Sequence, residues 1–293
     1  MYDPRWDDPR ERDDGRARVY EERDPADHDP RDGLLRDLDL PRGEARELVV
    51  NRDRIYELNG EDSRTLAVVG AFRVVPERDV GNDRDDRLDR DAFDHLRDEG
   101  LIRSIELNDG ERAVVLTNEG RDVLEANRRH RDDGESQTFH AGVNRPREVD
   151  HDASLYATYR EEEARLRQEH SDVEIRRVVL EQDLKRDYQE FLQAHNCGRS
   201  DSDGRPDRDE EAIRQWALEH ELPYVDDRVH FPDFRVEYEV DGRERHQDVE
   251  VLTQHYRGGH PAGRARAGFR LYSVHTGGGG GSTPHPRLAE EFL

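Results

Sequence analysis

Leu96-Arg-Asp-Glu-Gly-Leu-Ile-Arg103, Asn108-Asp-Gly110 and Leu116-Thr-Asn-Glu-Gly-Arg121 together decide how the first half of the chain folds. Leu88, Phe93 and Leu96 fall at helical spacing with Asp and Arg between them, and Gly100 stands where a helix needs a left-handed stop. Ile102 to Leu107 alternates as a strand, Asn108-Asp109-Gly110 is a tight turn, and Ala113 to Leu116 is the returning strand. Thr117 caps a further helix that runs through Val123 and Leu124 to Arg128-Arg129. Upstream, Ser63 to Val75 predicts a helix capped by Ser63 and ending before Pro76, and a short helix is expected around Arg78 to Asn82.

Helix, helix, helix, hairpin, helix is a winged helix-turn-helix. The Leu96–Arg103 segment, with Asp109-Gly-Glu-Arg112 and Leu116–Arg121, resembles the recognition helix, wing and following helix of MarR-type winged-helix DNA-binding proteins. The resemblance implies that the third helix enters the major groove of double-stranded DNA while the wing touches the backbone or minor groove. It places the contacts at Arg84, Arg87, Arg90 and Arg97 on or beside the helix, and at Arg103 and Arg112 on the wing. The charge count pulls the other way. Between Arg87 and Arg129 eight arginines stand against eleven carboxylates, and Asp85, Asp86, Asp89, Asp91 and Asp94 lie at or inside the reading helix. DNA readers present a positive face. An anionic outer surface on this helix would remove the ground for DNA reading, so a role in protein contact or dimerisation stays open.

The surrounding composition is extreme. Of 293 residues, 32% are hydrophobic and 40% charged, so the chain holds only small cores. The formal charge is −24, and Lys185 is the only lysine among 47 basic residues. Acidic, arginine-rich composition suggests a salty cytoplasm, and it makes any contact with DNA local. One cysteine, Cys197, excludes an internal disulfide. No apolar run approaches a membrane span and the N-terminus lacks the apolar stretch of a signal peptide, so the expected location is cytoplasmic, with no membrane partner. Residues 1–33 read as a disordered acidic arm, in which Asp-Pro-Arg recurs at Asp3, Asp8 and Asp29. Order is expected from Leu34, as a short helix and then a strand on either side of Asn51-Arg-Asp-Arg54, and the winged-helix domain takes 34–130.

A linker is expected over 131–149. Beyond it, apolar spacing predicts a helix from Asp150 to His170, a strand from Val173 to Leu180, a helix through Leu184 and Leu192, and a helix from Glu211 to His220. Strands follow at Val229 to Val240 and His246 to Thr253 around Asp241-Gly242, then a helix near Pro261 to Ala267 and a strand from Phe269 to Val274. The order α-β-(αα)-β-β-α-β over 150–275, with Pro232-Asp233 and Asp248-Val-Glu250 on neighbouring strands, resembles the PD-(D/E)xK nuclease-like core. The overall fold class is therefore α+β to α/β, a winged helix joined to a mixed-sheet nuclease-like domain, with a Gly-rich tether and tail over 276–293.

A divalent cation needs two or three converging carboxylate oxygens. Asp248 and Glu250 are two apart and project from one strand face, and Asp233 can meet them from the next strand. If the site is active, Asp233, Asp248 and Glu250 are the catalytic residues and hold Mg2+; otherwise no cofactor is expected. Leu252 stands two residues after Glu250, where the resemblance implies lysine, and Arg257 is too basic to accept a proton. Strand alternation alone also yields Asp248 and Glu250. Arg257 and Arg264, seven apart, are further DNA-contact candidates in a locally basic stretch. His195 with Cys197, and His255 with His260, lack the second ligand pair that zinc sites use.

The layout also resembles replication-relaxation proteins of plasmids and other mobile elements, which implies DNA handling or transcription regulation, and a homodimer is compatible with it. The sequence thus predicts a DNA-binding protein with a degenerate nuclease-like domain. A Mg2+-dependent endonuclease and an interaction module that binds no nucleic acid are the alternatives.

Overall fold

Two short apolar stretches with period-two alternation are the first to pair. The computed structural model describes residues 30–79, 90–108, 110–129, 136–143, 148–196, 209–252, 268–273 and 287–288. Met1–Pro30 and Arg31–Leu293 form two separate compact units, and of the first only Pro30 lies within the described residues. A 3-10 turn at Pro30–Leu35 leads to strands β1 (Glu47–Asn51) and β2 (Arg54–Leu58). These form an antiparallel hairpin with Val49 opposite Tyr56 and Val50 opposite Ile55. The expected short helix and single strand are thus corrected. Val49, Asn51, Tyr56 and Leu58 alternate inward on both arms, and Arg52 adopts a left-handed φ of 53° to close the turn.

Helix α1 (Gly60–Phe72) starts three residues before the expected cap. The extended Asn59 accepts from the Asp62 amide (2.9 Å), while Asp62 accepts from the Asn59 amide (3.0 Å), so two orphan donors are satisfied reciprocally. Ser63 lies inside the first turn and donates its hydroxyl to the Asn59 carbonyl (2.9 Å). Strand β3 (Val75–Pro76) and a 3-10 turn at Glu77–Asp79 follow; the rest of the short helix expected there lies outside the described residues.

Helix α2 (Arg90–Asp98) stops as its glycine requires, with Gly100 at φ 73°. Strands β4 (Ile102–Glu106) and β5 (Arg112–Leu116) form the expected hairpin, and β3 adds to the far side of β5. Helix α3 (Asn118–Ala126) is capped by Thr117, whose hydroxyl accepts from the Gly120 amide (3.1 Å). Gly120 is obligatory. A Cβ there would sit 2.2 Å from the Leu101 carbonyl oxygen, so the close approach of α3 to the backbone between α2 and β4 explains the Leu-Thr-x-x-Gly pattern.

The second half is a five-stranded mixed sheet with helices. Helix α4 (Val149–Glu169) precedes β6 (Glu174–Leu180), α5 (Glu181–Asn196) and α6 (Glu210–Glu219). A small ribbon of β7 (Tyr224–Val225) and β8 (Arg228–Val229) leads to β9 (Phe234–Val240), β10 (Arg243–Leu252), β11 (Arg270–Ser273) and β12 (Arg287–Leu288). The expected strand from Val229 is split because Pro232 interrupts the ladder. Sheet order is β12-β11-β10-β9-β6. Strand β10 is antiparallel to β9 and parallel to β11. Asp241-Gly242 turns the β9–β10 hairpin with both residues at positive φ. The helix expected near Pro261 falls outside the described residues.

This is a mixed α+β fold with six helices among the described residues. No helix there is long and apolar enough to cross a membrane. One apolar cluster runs from Leu34 through α1 and α3 into α4, β9 and β10. Phe72 is its joint, with its ring 5.1 Å from Tyr156 and 4.8 Å from Tyr159 on α4. The described part of the expected linker is packed. Phe139 is buried, His140 donates its amide to Gly70 (2.8 Å), and the Gln137 amide both donates to the Val178 carbonyl (2.9 Å) and accepts from its N–H (2.8 Å). Asn108 in the wing turn also donates its side-chain amide to Asp150 on α4 (2.6 Å).

Candidate functional site

The hairpin register decides what the acidic residues of the sheet can do. Strand β10 carries Asp248 and Glu250 on one face, both buried, and the pairing of Phe234 with Val249 brings Asp233 to the same end of the sheet. That register also sets Arg235 directly opposite Asp248. The Arg235 guanidinium donates to both Asp248 oxygens, at 2.7 and 3.0 Å, and to the carbonyls of His220 (2.8 Å) and Glu221 (3.0 Å). Asp248 is therefore one half of a buried fork-to-fork ion pair.

Asp233 is engaged as well. Its Oδ2 accepts from the Val251 amide (2.7 Å), and its Oδ1 lies 3.3 Å from His151 Nε2, which comes from the first turn of α4. Burial alone would lower the His151 pKa. The hydrogen bond to Asp233 and the charges of Asp233, Asp152 and Glu250 outweigh that and push it up to about 9. At neutral pH an imidazolium therefore stands against these carboxylates. Beside it, Arg73 at the end of α1 donates to Asp152 (3.1 Å), which ties the site to the first half of the chain. Burial raises the Asp152 pKa despite Arg73.

Among the described residues no group of three His, Cys, Asp or Glu side chains is placed to hold a metal ion. Of the three carboxylates expected to converge on a cation, Asp248 is taken by Arg235, and Asp233 by His151 with the Val251 amide. Glu162 on α4, not anticipated from the sequence, is fully buried, accepts from the Tyr272 hydroxyl (2.7 Å) and pairs with Arg165.

His151 should make the stability of the fold depend on pH. A group whose pKa is higher in the folded protein than in the unfolded chain stabilises the fold only while protonated. Its contribution is complete below the ordinary value of 6.5 and is lost as pH rises through about 9. Thermal melts between pH 6 and pH 9.5 should show a loss on the order of 1–2 kcal/mol, less than the bare shift because part of the ring meets water. In Asp233→Asn this slope should flatten. An unchanged slope would assign the dependence to other groups.

The DNA-contact candidates scatter. Arg84, Arg87, Arg257 and Arg264 lie outside the described residues, as does the side chain of Arg90. Arg97 pairs with Asp94 (2.7 Å), approaches Asp98 (3.9 Å) and stacks over Phe93. Arg112 at the start of β5 pairs with Glu77 just after β3 (3.3 Å), and Arg103 is exposed on β4. Over its described outer surface α2 carries Asp91, Asp94 and Asp98 against Arg97, so that surface is anionic. His95 turns inward to the hairpin, with Nε2 2.8 Å from the Glu57 carbonyl oxygen. The side chains of His195 and His255, with Cys197 and His260, are outside the description. Comparison with protein-family models, with curated proteins and with solved structures finds no match for the chain.

Proposed function

We propose that this chain is a binding protein that does not cut nucleic acid, a winged-helix arrangement joined to a nuclease-like sheet, and that its partner is a protein. The observation that carries the reading is the internal pairing of Asp248 and Asp233, above all the Arg235–Asp248 pair. A metal-dependent nuclease leaves such carboxylate oxygens to its cation. Here a guanidinium and an imidazolium take their place. The carboxylates of Asp91, Asp94 and Asp98 on α2 favour a protein partner over duplex DNA, which repels like charge. Supercoiled plasmid incubated with Mg2+ or Mn2+ should remain uncut. Nicking that disappears in Glu250→Ala would overturn the reading in favour of the endonuclease.

A second reading has support of its own. The order α1, α2, β4, β5, α3 and the exposed Arg103 suit a DNA-binding winged helix acting in plasmid or mobile-element DNA handling or in transcription regulation. Titrating duplex DNA across a salt series separates the two. Affinity that falls with rising salt marks phosphate contacts that displace counterions. Absence of binding at every salt concentration is the result expected for the protein partner.

A further inference from the structure

Two structural demands meet in one dipeptide and leave it chemically labile. Asn59-Gly60 is the only Asn-Gly pair in the chain. Position 59 caps α1: its side chain accepts from the Asp62 amide (2.9 Å), while Asp62 accepts from its backbone N–H (3.0 Å). Position 60 has room for no side chain. A Cβ there would meet the Arg42 carbonyl oxygen at 2.2 Å, and the Gly60 N–H donates to the Gly43 carbonyl at 2.7 Å, so the loop at Arg42-Gly43 lies directly on the start of the helix. An asparagine followed by glycine is the amide most open to spontaneous ring closure, because no Cβ hinders the second residue's nitrogen. That nitrogen, deprotonated by hydroxide, attacks Cγ of Asn59; the side-chain nitrogen leaves as ammonia and a five-membered succinimide remains. Water then opens one of its two carbonyls, giving aspartate or isoaspartate, so the net change consumes one water and releases one ammonia.

The fold holds both reactants back. Gly60 is buried, and the proton its nitrogen must lose is committed to Gly43. The Asn59 side-chain carbonyl is tied to the Asp62 amide, and Ser63 donates to the Asn59 main-chain carbonyl (2.9 Å). Neither the nucleophile nor the amide it attacks is free to move while the first turn of α1 is intact. Leu58 and Leu66 on either side are fully buried, so opening this turn exposes core. We propose that Asn59 is a site of self-modification gated by the fold, silent in the native chain and deamidated when the start of α1 opens. Aspartate at 59 remains a good cap. Isoaspartate does not, because it lengthens the main chain by one carbon between residues 59 and 60 and puts the reciprocal bonds with Asp62 out of register. The helix that carries Leu66, Val69 and Phe72 into the core then lacks its start, and a transient opening becomes a one-way mark.

The test incubates the full chain at mildly alkaline pH, in buffer and in concentrated urea, and follows the peptide containing residue 59 by mass spectrometry. The gain in mass as amide becomes acid gives the rate, and fragmentation separates aspartate from isoaspartate. Deamidation at Asn59 should lead that of every other asparagine in urea and run at least tenfold slower in buffer, since the folded chain reacts only through its open fraction. Asp62→Ala removes half of the capping box and leaves the reacting pair in place. It should speed the reaction several-fold in buffer and leave the rate in urea unchanged; if the variant does not fold, its rate in buffer should rise to the urea value. Asn59→Asp should abolish the mass gain at this peptide and keep the parent melting temperature. Equal rates in buffer and urea would overturn the proposal. So would faster deamidation at another asparagine in urea, or an Asp62→Ala rate in buffer equal to that of the parent.

Discussion

Arg235→Met should destabilise the fold by about 3–5 kcal/mol, read as a shift of the urea midpoint, because it strands a carboxylate in the protein interior. Both members of the pair are almost fully covered, with 7% and 8% of their side chains exposed. The substitution also takes the donors from the His220 and Glu221 carbonyls at the end of α6. Breaking a buried pair costs far more than replacing it whole. The double variant Arg235→Met/Asp248→Leu should therefore recover most of the loss, since apolar side chains of similar size need no counter-charge. A single variant within 1 kcal/mol of the parent would show that water reaches Asp248, and with it that the carboxylate is open to a cation.

Phe72→Ala should cost about 3–5 kcal/mol, the range for a large buried aromatic cut to a methyl group. The ring is fully buried and rests on Tyr156 and Tyr159, so the cavity would open between the two halves. Those halves share one core, and the variant should unfold in a single transition at lower denaturant. Tryptophan fluorescence, reported from the sheet half by Trp216, and far-ultraviolet circular dichroism should move together. Two separate transitions would mean that the halves are held by less than their common core.

Elements governed by neighbours in sequence were legible from it. Thr117 as a cap, Gly100 as a stop and Asp241-Gly242 as a turn each act within a few residues, and each occurs where the pattern places it. Asn59 and Ser63 are both good caps, and the pairing of Asn59 with Asp62 three residues on is the signal that separates them. Arg235 opposite Asp248 was also within reach, because the tight turn at Asp241-Gly242 fixes the register of every pair in that hairpin. His151 was not. It reaches Asp233 from a helix far away in sequence, and no local pattern announces such a meeting. The hairpin residues Leu48, Val50 and Ile55 show a strand by their alternation, but which face the fold would leave uncovered depends on α2 and α3.

Gln137 occupies the edge of the sheet. Strand β6 closes one margin of the five-stranded sheet, and at Val178 its outward N–H and C=O are both taken by a single side-chain amide. One glutamine thereby imitates the rung of a missing strand, so that at Val178 this margin offers an added strand neither a free donor nor a free acceptor.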